Sequence, residues 1–549
     1  MASTDFTATG GGITADRRGT ALDNAHAGDI HGALGTIRHG ATAPLGLSAK
    51  FKTLLAIIGP GLIVMVGDND AGAFATYGQA GQNYGTALLW TLLLLVPVLY
   101  VNQEMVLRLG AVTGVGHARL ILERFGRFWG AFSVIDLFLL NALTLVTEFI
   151  GITLAAGYLG LPKIPSVILA GLVIMAAAST GSFRRFERIA VALCGASLLL
   201  VPVYVMAHPA ASEVARGFLV PSLPEGPGGM GTLMLLVIGV VGTTVAPWQL
   251  FFQQSYVIDK RITPRFIAYE KADLWIGILV VIIGAAAMMG FTAAAFAGTG
   301  AAGNFTDSAG IAHGLEAYAG RAAGALFAVA LLDACVIGAF AVSLSTAYAI
   351  GDVLSLNHSL HRGLRQAKGF YAVYAGLISA AATVVLIPGS PLGLLTEGVQ
   401  ALAGVLLPSA SVFLLLLCND RQILGPWVNG RATNLFTSLV VGVLVTLSVI
   451  LTAAVLFPGI GVAQILMIMG GCGATGAAAT AYALARRRRS AAEPVDRTGR
   501  DDWRTPPTAE LGRPVLSTTR RLGMAVLRLY LTVATVLVIV KIVQMALGH

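Results

Sequence analysis

Along the chain, apolar residues gather into long runs separated by short polar or basic stretches, near 54–82, 84–109, 129–159, 164–182, 187–207, 231–258, 269–298, 321–355, 369–389, 393–417, 433–457, 461–485 and 522–547. A helix crosses the hydrocarbon of a bilayer with roughly 20 apolar residues, so the thirteen runs predict thirteen membrane helices. Basic residues fall between them unevenly. With the N-terminus inside, Arg119, Arg124 and Arg127, Arg184, Arg185 and Arg188, and Lys260, Arg261 and Arg265 are all inside too. So are Arg362, Arg365 and Lys368, Arg421 and Arg431, and the run Arg486 to Arg489. The other side receives little more than Lys163, Arg216 and Arg321, the asymmetry of the positive-inside rule. The expectation is an integral protein of a plasma (inner) membrane with its N-terminus in the cytoplasm.

The same pattern divides the chain. Residues 1–50 are rich in Ala, Gly, Thr and His and lack the apolar core and cleavage site of a signal peptide. They are expected as a disordered, mobile cytoplasmic tail in which His26, His31 and His39 stay solvated. Residues 51–210 and 211–420 are expected as the first and second halves of an inverted repeat, 421–489 as additional membrane helices, and 490–520 as a polar cytoplasmic linker. Residues 521–549 either lie at the interface or form a terminal membrane helix, and their Val, Leu and Ile around only Arg528 and Lys541 favour spanning.

Composition agrees with this partition. Hydrophobic residues make up 56% of the 549 positions and charged residues 11%, against roughly a quarter charged in a soluble protein. A mean hydropathy of +0.79 leaves too few charges to wet a globular surface. The net charge of +9 sits between apolar segments and not along one polar face, which argues against nucleic acid as a partner. Cys194, Cys335, Cys418 and Cys472 lie in apolar stretches without a CxxC pair, as packing residues and not as a thiolate site.

Chemistry concentrates in the first run, Gly59-Pro60-Gly61-Leu62-Ile63-Val64-Met65-Val66-Gly67-Asp68-Asn69-Asp70-Ala71-Gly72. An aspartate at the bilayer centre costs roughly 2.5–3.5 kcal/mol and needs a partner. Gly67 and Gly72 bracket the polar group and are expected to let the backbone leave helical geometry, freeing carbonyl oxygens. Carboxylate plus bare carbonyl makes a site for a hard cation. The sixth run reads Gly239-Val240-Val241-Gly242-Thr243-Thr244-Val245-Ala246-Pro247-Trp248, where Pro247 removes a donor and Gly242 loosens the preceding turn. Two breaks five spans apart match an inverted repeat of five helices and five, with a substrate site where the broken helices meet.

The stretch from Gly59 to Gly85 resembles the first helix of the NRAMP divalent metal transporters, whose Asp-Pro-Gly-Asn signature falls on Asp70-Ala71-Gly72-Ala73. Gly242 to Gln253 resembles the family's sixth helix, with Met-Pro-His on Ala246-Pro247-Trp248. Further similarity lies in Glu148-Phe149-Ile150-Gly151, Phe183-Arg184-Arg185-Phe186-Glu187, Gln400 eight residues before Pro408, and Asn419-Asp420-Arg421. The resemblance covers about residues 55 to 430. It implies an all-α polytopic membrane protein with a LeuT-like 5+5 inverted repeat and additional C-terminal helices, and a transporter without resident cofactor or enzyme activity. The metal site it implies comprises Asp70, the carbonyls of Gly67 and Thr243, Gln400, and the positions of Ala73 and Ala246. At the last two the family's asparagine and methionine are absent, and with them the soft thioether that favours transition metals. The family's sixth-helix histidines fall on Trp248 and Gln253, which do not titrate near neutral pH, whereas Glu148 keeps the third-helix carboxylate of the proton path. These departures, with Asp68 and Asn69 added, resemble the NRAMP-related magnesium transporters, a branch carrying Mg²⁺ and Mn²⁺ without evident proton coupling. Mg²⁺ prefers oxygen ligands and keeps its waters. The substrate expected is therefore Mg²⁺ or Mn²⁺, with a proton-coupled manganese or iron importer as the alternative. The oligomeric state is open.

Among other polar residues, Asp136, Asn141 and Glu148 share the third run, as a stripe toward a cavity or as interhelical hydrogen bonds, and Asp333 in the eighth is a similar case. Glu104 stands four residues before Arg108, at ion-pair spacing. An intramembrane aspartyl protease would require GxGD, but the chain has Met65-Val66-Gly67-Asp68 and Ala349-Ile350-Gly351-Asp352.

Overall fold

The structure is a computed structural model and describes residues 24–42, 46–224, 226, 229–388, 399, 403, 408–457, 460–487, 496–512, 514, 521, 523–533, 536 and 540. The helices of the first half are α1 Leu47–Ile57, α2 Pro60–Val66, α3 Ala71–Tyr84, α4 Trp90–Thr113, α5 His117–Phe125, α6 Arg127–Tyr158, α7 Lys163–Ala178, α8 Phe183–Ala196 and α9 Leu200–Ala207, and α10 Ala211–Leu219 opens the second half. That half also holds α11 Gly229–Thr244, α12 Pro247–Asp259, α13 Ile267–Phe296, α14 Ser308–Ala319, α15 Arg321–Leu354, α16 Lys368–Leu386 and α17 Pro408–Cys418. There follow α18 Arg421–Leu424, α19 Arg431–Leu456, α20 Val462–Arg487 and α21 Gly523–Val533.

Among the described residues, nine helical segments are long and apolar enough to cross a membrane, and the bent pair α1–α2 makes a tenth. With the shorter apolar helices α7, α17 and α21, they account for all thirteen runs read from the hydropathy pattern. The outer faces are apolar: Leu169, Val205 and Leu279 are all more than half exposed, a surface that only lipid tails cover without cost. The main core is one large cluster in which α15 packs along α6 and α13 packs against α2 and α3, and a smaller cluster of Ile238, Ile450 and Ile465 joins α11 to the C-terminal helices.

The first span contains a bend that its sequence pattern did not announce. Gly59 adopts φ 153°, open only to glycine, and α1 and α2 meet there at 50°. Pro60 then starts α2 at a position where its missing N–H costs nothing. The donors exposed by this break go to Asp273, which accepts from the amides of Gly59 at 3.1 Å and Gly61 at 2.7 Å. The carbonyls go to Lys260, whose Nζ donates to Ile57 at 2.6 Å, to Ile58 at 2.9 Å and to Glu187 at 2.7 Å. A Cβ on Gly61 would stand 2.6 Å from the backbone of Leu274, so the absence of a side chain is what lets α2 reach α13.

The expectation of a mobile tail through residue 50 is corrected for residues 24–42. Ile30–His31 and Thr36–Ile37 pair antiparallel, Ile30 opposite Ile37, and the hairpin lies against the basic turns of the bundle. Arg184 donates to the Gly32 carbonyl, Arg188 to Ala33 and Arg261 to Ala25 and Asp29 at 2.8–3.0 Å, while the Ala33 amide donates to Glu187. His26, expected in solvent, is buried at hydrogen-bond distance from the His358 carbonyl. His31 is half-buried near His361, whose imidazole burial pushes below the usual histidine range, and only His39 is exposed as expected. The cause is backbone supply: a short hairpin offers carbonyls, and arginines counted only for topology accept the role of partners. Residues 496–512 likewise lie against the bundle, through Thr505 on the Ile423 carbonyl and Arg124 on the Gly512 carbonyl, both at 2.7 Å.

Among the described residues, Lys260 is the cation that pairs with the buried Glu187. Lys260→Met is therefore expected to destabilise the protein by about 3–5 kcal/mol, and the double variant Lys260→Met/Glu187→Gln by less than Lys260→Met alone. Thermal unfolding of the purified variants checks this, and losses that simply add would contradict it.

Candidate metal centre

Helix α2 tightens as it ends. The amides of Asp68 and Asn69 reach back three residues, to Met65 and Val66, and among the described residues no backbone donor returns to the carbonyls of Gly67, Asp68 and Asn69. The chain re-enters helix at Asp70, the N-cap of α3, whose carboxylate accepts from the Ala73 amide at 2.9 Å. The break thus spans Gly67 to Asp70. Gly72, expected at its edge, already lies inside α3, and Gly67 keeps helical angles at φ −64° and ψ −12°. What glycine supplies at 67 is room, because a Cβ there would meet Ile63, Ile337 and the Trp248 indole.

The sixth span breaks at Val245–Ala246. Gly242 lies within α11, not at the break, and Pro247 opens α12 behind the Ala246 cap. Proline has no N–H to return to the Thr243 carbonyl one turn back, so that oxygen loses its helical partner. The two breaks face each other. Gln249, in the first turn of α12, donates to Asp68 and accepts from Gln103 of α4 at 3.1 Å. Tyr77 of α3 and Thr244 of α11 share a hydrogen bond of 2.6 Å.

Several polar atoms around the breaks are buried without a protein partner among the described residues: Asp68 Oδ2, Asn69 Oδ1, Glu148 Oε1 and both amide atoms of Gln253. Asn69 is anchored through its nitrogen, 3.3 Å from the Val281 carbonyl of α13. Glu148 of α6 accepts from the Ala71 amide at 3.3 Å and stands beside the Asp70 carboxyl and Cys335. Gly338 faces it, and a Cβ there would meet the carboxyl at 2.7 Å. Trp248 is 1% exposed, with its carbonyl bonded by Ser345 at 2.9 Å.

The structure therefore gathers Gly67, Asp68, Asn69, Asp70, Ala73 and Glu148 around the first break and Thr243, Ala246 and Trp248 around the second, with Gln253 one turn beyond Gln249. Gln400 lies outside the described residues. Sequence reading missed Gln249, Gln103 and Tyr77; the available signal was an amide at mid-membrane depth two residues after the helix-starting proline. Among the described residues no group of three or more His, Cys, Asp or Glu side chains is arranged to hold a metal. The centre offers two aspartates, an amide oxygen and freed carbonyls, a donor set of oxygen alone. Asp136 is bonded to Ser409 at 3.3 Å and Asn141 to Thr346 at 2.8 Å, so the interhelical role describes both, while the Asp333 oxygens have no partner among the described residues.

Residues 61–454 match the family model described as natural resistance-associated macrophage protein-like, Nramp. The divalent metal cation transporter MntH of Ralstonia nicotianae is 31% identical over 402 residues, 70% of this chain and 87% of that protein. The transporter of the same name from Chromohalobacter salexigens is 27% identical, over 75% of this chain and 94% of that one. In fold, the chain is similar to the crystal structure of the Eremococcus coleocola manganese transporter in complex with an aromatic bis-isothiourea substituted compound, with a TM-score of 0.65 and 22% identity over 80% of this chain and 95% of that one. With that match across most of its length, the chain belongs to the Nramp family.

Proposed function

We propose that this member of the family moves Mg²⁺ or Mn²⁺ by alternating access through the two helix breaks, without proton coupling along the sixth helix. The observation that carries the reading is the Asp68 carboxylate: buried, bonded to Gln249 through one oxygen, and with no protein partner for the other among the described residues. A buried carboxylate oxygen without a donor calls for a cation or water. In this reading Asp68 and Asp70 supply the charge. Asn69, Gln400 and the carbonyls of Gly67 and Thr243 complete an oxygen shell, and Ala73 and Ala246 leave room for waters that Mg²⁺ releases reluctantly. Neither Trp248 nor Gln253 titrates near neutral pH, so the sixth helix offers no proton carrier at these positions.

The membrane is the plasma membrane in this reading, with the N-terminus in the cytoplasm. Support comes from the convergence of Arg184, Arg188 and Arg261 on residues 24–42, which puts those basic turns and the N-terminal hairpin on one face.

The second reading, a proton-coupled manganese or iron importer, is favoured by one observation, the buried Glu148 carboxyl beside Asp70 with one oxygen unpartnered among the described residues. Both readings share the metal centre and differ in what accompanies the ion.

In proteoliposomes, Asp70→Ala and Asp68→Asn are each expected to lower Mg²⁺ and Mn²⁺ uptake about tenfold or more, equivalent to about 1.4 kcal/mol or more. Undiminished Mg²⁺ uptake by a well-folded Asp70→Ala protein rules out this site. Trapped pH dye should stay flat while Mg²⁺ enters; acidification in step with the metal selects the second reading. Restoring a thioether with Ala246→Met should move competition from Mg²⁺ toward Cd²⁺ and Mn²⁺, measured as inhibition of uptake by each ion.

A further inference from the structure

On the basic face, away from the metal centre, a crevice of about 360 Å³ opens between α4, the start of α13, the turn after α18 and the segment that follows α20. Arg108, Lys271, Arg497 and Arg500 line it together with a single acid, Glu104. Glu104 is already engaged, accepting from Arg108 at 3.1 Å and from Lys271 at 2.8 Å. Arg108 is buried, donates to the Trp427 carbonyl and to Asn429, and keeps an Nε with no partner among the described residues. Arg500 stacks on the Trp427 ring, 4.8 Å from its centre, and its carbonyl accepts from the Trp427 indole at 2.7 Å. Arg497 makes no hydrogen bond or ion pair among the described residues.

Four cations line the crevice against the one carboxylate of Glu104, with Asp501 outside the lining 3.5 Å from Arg500 Nε; the remaining excess of positive charge is opposed by self-repulsion, and chain segments far apart in sequence are brought together to make it. Two of the four come from residues beyond 61–454, the part of the chain that the family model matches, so the site is an addition of this chain and not part of the shared transport core. Guanidinium forks match the oxygens of phosphate bidentately, and a neighbouring ammonium adds charge without directional demand. Trp427 supplies an apolar wall, and the volume lies in the range of small-ligand sites.

We propose that this crevice binds a phosphate-bearing anion held by Arg108, Lys271, Arg497 and Arg500. Bound there, the anion ties the segment after α20 to α4 and to α13, the helix whose Asp273 holds the bend of the first span. Two sources carry the same chemistry, a soluble phosphate compound and the headgroup of an anionic lipid. None of these residues belongs to the metal centre, so the inference stands apart from the identity of the transported ion.

The test uses the full-length protein in phosphatidylcholine nanodiscs with EDTA, which removes any contribution from divalent metal. Inorganic pyrophosphate is titrated by calorimetry, and retention of phosphatidylglycerol from mixed-lipid discs is read by native mass spectrometry. Binding of pyrophosphate, weakened about tenfold or more in Arg497→Ala/Arg500→Ala, supports the site with a soluble ligand. Retention of phosphatidylglycerol alone, lost in the same variant, supports it with a lipid. Because Arg500 also packs on Trp427, Lys271→Gln/Arg497→Gln, which leaves that stack intact, must show the same loss. Failure of both anions to bind, or equal binding by wild type and variants, overturns the proposal.

Discussion

The hydrogen bond from Gln249 to Asp68 joins the two places where the protein departs from helical geometry. A carboxylate surrounded by apolar helices must find donors or counter-charge, and a backbone leaving helix at that depth must find partners for its own polar groups. Here each requirement partly answers the other. The Asp70 carboxylate caps the helix that restarts after the first break, and Glu148 reaches the Ala71 amide from another helix. Gln249, on the helix that restarts after the second break, is held in turn by Gln103. Among the described residues, the remaining unpaired oxygens mark where these partners do not complete the arrangement.

The supporting structure follows the same rule at a second location. The bend at Gly59 exposes amides and carbonyls, and Asp273 and Lys260 take them from α13 and the end of α12. Lys260 also meets Glu187, which holds the Ala33 amide of the N-terminal hairpin. One buried network therefore links the start of the first span, the end of the sixth, the seventh and the hairpin. Small residues make the close approaches possible, as at Gly61 against Leu274 and Gly67 near Trp248. A bundle held this way can carry irregular backbone at its centre because the strain of each break is met by partners from neighbouring helices.

The chemistry proposed for the centre rests as much on what the family positions lack as on what they hold. Alanine at 73 and 246 removes an amide and a thioether without closing the space with bulk. Tryptophan at 248 is buried against Gly67 and contributes packing where its relatives' motif has a titratable ring. Additional polarity enters through Asp68 and Asn69, whose anchoring by Gln249 and Val281 leaves one oxygen of each unpaired among the described residues.

The apolar helical runs, ten of which are long enough to cross among the described residues, the breaks near Asp68 and Pro247 and the family were legible from the chain alone, because lipid demands about 20 apolar residues per crossing and tolerates carboxylates or proline there only with compensation. These are local constraints, readable one segment at a time. The limits of the first break, the bend at Gly59, the capture of residues 24–42 and the partnership of Gln249 with Asp68 were not legible. Each depends on which helix lies opposite: Gly72 has no local reason to remain helical, and a glutamine among apolar residues does not announce its acceptor. Sequence by itself determined that polar groups would be buried in a helical membrane bundle and roughly where; only the tertiary structure decided which groups would satisfy them, because hydrogen-bond partners more than a hundred residues apart are chosen by packing and not by sequence neighbours.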